Sequence, residues 1–545
     1  MKRSFISLTV AVALCVLFAG CKKDEDTTLK GITFSEVSKM LKPTETHDIV
    51  VSFFPISSTD TDLEWTSSDE DVATVVNGKI TAINVGTTVI KAISANNAEI
   101  YAECSIEVTL ADFGTQSGAV EGVWTKHSIV YINDQIWVEQ GKKLTVEEGV
   151  TIIIQDGPVG TSQAPIEFFV EGSLYLKGTK EYPILVTVAA NKRTAENRYA
   201  GLWGGFVGGD NFSELLFDNV TIEYTGAMCR SGSQSVLKGG LNVADKDQTA
   251  QILTNNPNGK IVIINSTFRY AASDAMYFMG GQAIVANNII HTIGENDNDG
   301  INMKAGVKVD IAYNLTFSVN SNGMKLSSSG QSPARHQAMI KAYNNTIVNS
   351  GWRRTKNLKG GSIFLEKGAL AYVYNNLILN SKFMTKTPKL NQPDPDNGAD
   401  HNSFVGHNFY ASGTQQAVVP VTFGVSIPTA FAGYTFDDED YWHDGRNDTP
   451  KIDETSLVAT APGSPNPNFV NFPNTVALEE DMYDPSWDFH VQAGSPVLVG
   501  ANGKTPRSTF TGDFAPYFGA VGLTIDGKEY KSPAPSARYG AFGTK

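Results

Sequence analysis

Through most of the chain apolar and polar positions alternate over short runs, and a helical period is absent. Between Ile261 and Asn380 one phrase recurs five times: Ile-Ile-Asn265-Ser-Thr-Phe, Ala-Asn287-Asn288-Ile-Ile, Ala-Tyr-Asn314-Leu-Thr-Phe, Tyr-Asn344-Asn345-Thr-Ile-Val and Tyr-Asn375-Asn376-Leu-Ile-Leu. With Asn265, Asn288, Asn314, Asn345 and Asn376 as register marks, the spacings are 23, 26, 31 and 31 residues. Each unit adds a second short strand, as in Asp274-Ala-Met-Tyr, Asp299-Gly-Ile-Asn-Met, Asn322-Gly-Met-Lys-Leu and Gly361-Ser-Ile-Phe-Leu. Recurring short strands at such a period predict a solenoid. One coil cannot bury its own apolar face, so coils stack and their strands form long parallel sheets. Asn at the bend suits hydrogen bonds to neighbouring coils and tolerates left-handed backbone angles.

Residues 29–110 alternate differently, with strands and turn signals at the short spacing of a β-sandwich. Leu63-Glu-Trp65-Thr-Ser67-Ser68-Asp69 is followed by Val72-Ala73-Thr74-Val75, Gly78-Lys-Ile80-Thr81-Ala82 and Gly86-Thr-Thr88-Val-Ile90. That order resembles the bacterial Ig-like group 2 (BIG2) domain, which implies a spacer or adhesion module with Trp65 in its core and turns at Gly78 and Gly86. Residues 111–121 read as a linker. From Gly122 the runs Gln135-Ile-Trp-Val-Glu and Lys143-Leu-Thr-Val-Glu open a solenoid that continues to residue 390. It resembles the right-handed parallel β-helix of the pectate-lyase superfamily. Residues 391–470, rich in Pro, Asp, Gly and aromatics, read as a loop-rich insertion, and 471–545 as a terminal coil and cap. The fold class expected is all-β: an N-terminal Ig-like β-sandwich followed by a right-handed parallel β-helix.

The N-terminus changes the cellular picture. Lys2-Arg3 precede an apolar run from Phe5 to Phe18 and then Ala19-Gly20-Cys21, a secretory signal over residues 1–20 that is too short to span a bilayer. The residues before Cys21 resemble a bacterial lipobox, which implies lipid on Cys21, a tether over 21–28, and membrane attachment through that lipid alone. Lys22-Lys23-Asp24-Glu25-Asp26 resembles the tag that sends lipoproteins to the outer face of the outer membrane in polysaccharide-foraging bacteria. A plain solvated tether is the alternative. Cys104 and Cys229 fall in different domains, so no disulfide framework is expected.

With 43 Lys and Arg against 57 Asp and Glu, the formal charge is −14, which argues against nucleic acid as a partner. The charge is uneven. Between Gly300 and Leu390 there are 13 Lys or Arg against Asp310 and Glu366 alone, a local balance of +11. A basic zone on an acidic body points to a polyanion. Lys304, Lys325, Arg335, His336, Arg353, Arg354, Lys356 and Lys359 are the candidate contacts, with Trp352 and Tyr343 as candidate stacking surfaces.

Asp297-Asn298-Asp299-Gly300-Ile301-Asn302, with Asp274 one coil earlier and Asn322-Gly323-Met324-Lys325-Leu326 one coil later, is similar to the pattern of family 9 pectate lyases. The resemblance implies Ca²⁺ held by Asp274, Asn298, Asp299 and Asn302, with Lys325 taking the C5 proton in a β-elimination. Two of the four carboxylates of the family pattern are Asn here. Asp-Gly and Asn-Gly turns also serve solenoids structurally. The sequence therefore predicts a surface lipoprotein engaging acidic polysaccharide, as a Ca²⁺-assisted lyase or as a non-catalytic binder or adhesin. A purely structural surface protein is the third possibility.

Overall fold

The computed structural model describes residues 27–238, 241, 243–354, 360–382, 385, 398–400, 402–411, 455–459, 464–473, 476 and 480–545. The chain divides into two compact units between Leu110 and Ala111. Cys21, Lys356, Lys359 and most of the 391–470 insertion lie outside the described residues.

The N-terminal unit is a β-sandwich. Strands Leu63–Ser67, Gly86–Ser94 and Asn97–Val108 pair antiparallel in one sheet, while Thr46–Asp48, Ala73–Val76 and Lys79–Ala82 form another. Trp65 stacks on Phe34 at 5.6 Å and packs against the core that holds Ile80, Ile90 and Cys104. Gly78 has φ +81°, and a Cβ there would press on the Trp65 ring at 3.3 Å. The Ser-Ser-Asp motif meets Thr88, whose Oγ1 accepts from the Asp69 N–H at 2.9 Å and pairs with both Ser67 and Ser68 hydroxyls.

The second unit is a parallel β-helix. Ten strands form one parallel sheet, and a further nineteen among the described residues form an array that pairing divides in two. A representative coil runs Lys260–Ile264, Thr267–Ala271, Met276–Phe278, then re-enters the first sheet at Gly281–Ala286. The three sides are here called the strap sheet, the middle sheet and the groove sheet, in that order along each coil. Residues 111–119, expected as a linker, instead form a strand, Ala111–Ala119, paired parallel with Ser128–Val138. Backbone donors at the end of the solenoid need partners, and this strand supplies them. The coils also continue past residue 390, through Phe404–Gly406, Phe409–Ala411 and Leu457–Ala459.

At the corner between strap and middle sheets the Asn repeat forms a continuous ladder. Nδ2 of Asn288, Asn314, Asn345 and Asn376 donates to Oδ1 of Asn314, Asn345, Asn376 and Asn408 at 2.9 to 3.0 Å. The same oxygens accept backbone N–H groups of the preceding coil, and every ladder amide donates to a main-chain carbonyl as well. The first register mark needs correcting. Asn265 sits in the left-handed position (φ +55°) shared by Asn287, Asn344 and Asn375, and Ser266 occupies the ladder step, its N–H donating to Asn288. Position, not residue type, decides which of two adjacent polar residues faces inward.

The C-terminal residues do not form a terminal coil as expected. They run back along the outside of the solenoid as a strap. Phe489, Val491, Val497 and Tyr539 cover an outward apolar column of the middle sheet that includes Phe317, Val348, Leu379 and Ala411. Phe518, Leu523, Ile525 and Tyr530 cover Tyr175, Leu216, Val262, Ile284 and Tyr374 on the strap sheet. Buried Asp310 anchors it, accepting from the Tyr517 and Phe518 N–H groups at 3.1 and 2.8 Å and from the Ser532 hydroxyl at 2.6 Å. Burial pushes the Asp310 carboxyl up, while those bonds and Lys341 oppose the shift.

Asn345→Ala removes the acceptor of two donors on Asn314 and three donor contacts of its own. Leaving buried amides unpaired costs on the order of 3 kcal/mol. The denaturant midpoint, followed by tryptophan fluorescence, is expected to fall accordingly. A shift below about 0.5 kcal/mol, the size of an ordinary surface substitution, would contradict the ladder's role.

Candidate substrate cleft

Side chains of the groove sheet alternate between core and exterior. Met276, Ile301, Met324 and Ile363 point inward and are fully buried. The next residue of each strand points out, giving one register-paired column: Trp137, Phe169, Val207, Leu253, Tyr277, Asn302, Lys325 and Phe364. No segment of the strap is among the residues lining the cleft of about 390 Å³ over the middle of this column. Asp274, Asp299, Asn302, Lys304 and Lys325 line it, facing Leu241, Val243 and Asp247 from the excursion that precedes Ile252. That excursion is held down by buried Glu167, which accepts from the Ser235 N–H and hydroxyl at 2.8 and 2.5 Å.

The corner between middle and groove sheets repeats the ladder principle with a different residue. The Asp299 N–H donates to Asp274 Oδ1 at 2.6 Å, and the Asn322 N–H and Nδ2 donate to Asp299 Oδ1 at 3.0 and 2.8 Å. One oxygen of each carboxylate is thus committed to the frame. Asn302 Nδ2 bridges the two remaining oxygens, at 2.9 Å to Asp274 Oδ2 and 3.2 Å to Asp299 Oδ2, while its own Oδ1 is buried without a partner. Five asparagines build the other corner without charge. Two carboxylates one coil apart are an electrostatic cost that structure alone does not require. Burial first, and then the charge of Asp299, push the Asp274 carboxyl up to about 7.

Two lysines face this pair. Burial and the neighbouring Lys325 lower the Lys304 ammonium, and its Nζ lies 5.0 Å over the Tyr277 ring. Burial alone would lower Lys325 too, but Asp299, Glu366 and Asp274 more than offset it and hold the group above its usual value. Its Nζ lies 3.4 Å from Glu366 Oε1.

The structure thus gathers Asp274, Asp299, Asn302, Lys304 and Lys325 around one cleft. Asn298 also lines it, but its Oδ1 accepts from the Asn296 N–H at 3.1 Å. Arg335 borders the adjoining hollow with Tyr277 and Lys304, and His336 is exposed in the same loop. Arg353 and Arg354 need correcting as substrate contacts. The Arg353 guanidinium donates to the carbonyls of Ile293, Gly294 and Ser318 at 2.6 to 2.8 Å, which ties it to the frame. Arg354 forms an ion pair with Asp297 at 2.8 Å and donates to the Ser321 hydroxyl at 2.6 Å. Trp352 and Tyr343 are buried, their polar atoms donating to the Asn380 and Pro533 carbonyls, so neither offers a face to a sugar. Lys341 lies buried under the strap against Tyr517, and the exposed Lys308 sits beside the same ring.

Glu366 and Tyr277 were missed by the sequence reading. Glu366 was visible as one of only two acids in the basic zone, and Tyr277 as the residue one register step before Asn302.

The orphan oxygen of Asn302 gives a specific expectation for Asp299→Asn. The new amide keeps an acceptor for Asn322, and rotation of Asn302 offers its Oδ1 to the new Nδ2. One of two neighbouring buried charges is lost. In a chelator the thermal midpoint is therefore expected to rise, by the equivalent of about 1 kcal/mol. An unchanged or lower midpoint would show that the repulsion within the carboxylate pair is no larger than the attraction of Asp299 to Lys325 and Lys304.

Residues 28–103 match the bacterial Ig-like domain (group 2) family, which covers the sandwich and none of the β-helix. No curated protein matches the chain. A bacterial Ig-like domain followed by a parallel β-helix fits a surface protein that meets carbohydrate.

Proposed function

We propose that the groove binds an acidic polysaccharide, with a uronate carboxylate received at the Asp274–Asp299–Lys304–Lys325 cleft. The observation that carries this is the pair of aspartates at a corner where asparagine would serve the fold, facing two lysines in a concave, partly exposed site. Long sugar polymers suit such a groove, since successive coils repeat its wall about every 4.8 Å.

Among the described residues no three His, Cys, Asp or Glu side chains converge as a ready metal site. The two carboxylate oxygens that only the Asn302 amide bridges, and the unpartnered Asn302 Oδ1, nonetheless suit a hard cation, which takes oxygen ligands. Asp274, Asp299 and Asn302 would hold Ca²⁺, and waters and the substrate would complete its shell. When bound, the cation supplies positive charge against the substrate carboxylate and acidifies the adjacent C–H. Lys304 then orients the same carboxylate from the side of Tyr277.

Cleavage is a second reading, favoured by one observation. Lys325 is one register step from Asn302 on the cleft floor, where a base for the C5 proton is needed. Against it, Glu366 and the aspartates keep the ammonium protonated in the cation-free state. In the leading reading Lys325 is a fixed positive charge that binds.

The Cys21 pattern supports lipid anchoring in the outer membrane with the protein facing outward, where such polymers are met. No helix among the described residues is long and apolar enough to cross a membrane.

Polygalacturonate, alginate and glycosaminoglycans, each with Ca²⁺ or EDTA, separate these readings. Saturable binding with a flat ultraviolet trace is the expected result, and Lys325→Ala should weaken binding about tenfold, as for loss of one charge-assisted contact. A Ca²⁺-dependent rise in absorbance from unsaturated product, abolished by the same substitution, would establish the lyase instead. Absence of binding to every polymer would overturn the proposal.

A further inference from the structure

The outward column does not stop at the candidate site. From Tyr277 toward the N-terminus it turns apolar, through Leu253, Val207 and Phe169, and ends at the half-buried Trp137. Over that end lies a second cleft of about 520 Å³, and Leu241 borders both clefts. Six register steps separate Trp137 from Lys325, a span of about 29 Å at one strand spacing per coil. Between the two clefts Leu253, Val207 and Phe169 are buried beneath Leu241, so a single oligosaccharide that reaches both ends crosses over that wall.

The two ends differ in charge. Lys304, Lys325 and Arg335 mark the downstream part. Upstream, Glu139, Glu171 and Asp210 stand around Trp137 and Phe169, with Lys238 the one cation among the described residues lining that cleft. Two of these acceptors, Glu171 and Asp210, are held in place. Glu171 Oε2 takes the Asn211 N–H and Nδ2 at 3.1 and 2.8 Å, and Asp210 accepts from Asn255, whose own oxygen accepts from Arg335. Fixed carboxylates repel a uronate but accept hydroxyl protons, and an indole face packs against the C–H face of a pyranose.

We infer that the upstream cleft is a subsite for an uncharged sugar ring. The groove as a whole then selects a mixed polymer, with an acidic residue at Lys304–Lys325 and neutral sugars several residues away. This rests on the acidic-polysaccharide reading above and names its substrate class more narrowly.

Titration calorimetry of the full chain with hexagalacturonate, a hyaluronan hexasaccharide that alternates acidic and neutral rings, and cellohexaose tests it. The alternating probe is expected to bind about tenfold more tightly than hexagalacturonate, the worth of one stacked ring. Trp137→Ala should erase that preference while leaving hexagalacturonate unchanged. Glu139→Lys, at an exposed position, should erase it by strengthening hexagalacturonate. Equal binding of the two acidic probes, unmoved by either variant, would overturn the inference and leave the acidic-polysaccharide reading standing. Binding of cellohexaose alone, lost in Trp137→Ala, would support the subsite and overturn that reading instead. No binding by any probe overturns both.

Discussion

Each coil of the solenoid leaves buried amide groups at its corners that only the next coil can satisfy, because the chain turns too sharply there for strand pairing to reach them. Asn meets that need at one corner: its oxygen accepts from the coil before, and its NH₂ reaches the coil after and the main chain. The ladder closes on Ser456, whose hydroxyl accepts from the Asn408 N–H at 2.7 Å, and opens on Ser266 at the other end. Such a ladder fixes register coil by coil. Register in turn makes the outward columns continuous, so a strap bed, an apolar wall and the column under the two clefts each follow the stack.

The three sides then diverge in fate. The strap sheet and the middle sheet carry apolar outward columns, and the C-terminal segment buries much of both. The groove sheet carries Tyr277, Asn302 and Lys325 instead, with carboxylates at its corner. The contrast between the two corners is chemical. Asparagine ladders cost no charge, whereas Asp274 and Asp299 are held together against their repulsion. Local rules broken where the fold does not require it are where function is expected. That contrast is the ground on which acidic-sugar binding is proposed for this face, and the aromatic and acidic end of the same column is the ground for extending it.

The periodic part of the fold was legible in sequence because stacking demands repetition: strand positions, the corner residue and coil lengths all recur. The first register mark was misread by one residue because Asn265 and Ser266 are both polar, and only backbone angle separates the left-handed position from the ladder. The linker over 111–121 and the terminal coil over 471–545 were misread for a different reason. Both segments serve surfaces made by distant coils, and no local pattern records that Phe514 meets Tyr374 or that Ala111 meets Ser128. In the site, Asp274, Asp299, Asn302 and Lys325 were visible because they sit one coil apart. Arg353 and Arg354 looked equally suitable by charge, but their loop faces carbonyls of the frame, and a charge count cannot see the direction of a side chain.

Hydrogen exchange of the full chain, with and without polygalacturonate and Ca²⁺, tests the central claim most directly, since it reports which face the polymer covers. Slowed exchange is expected in residues 296–304 and 322–329, with residues 510–530 of the strap unchanged. Protection confined to the strap or to the Ig-like unit, or no protection anywhere at saturating polymer, would contradict the assignment of the groove.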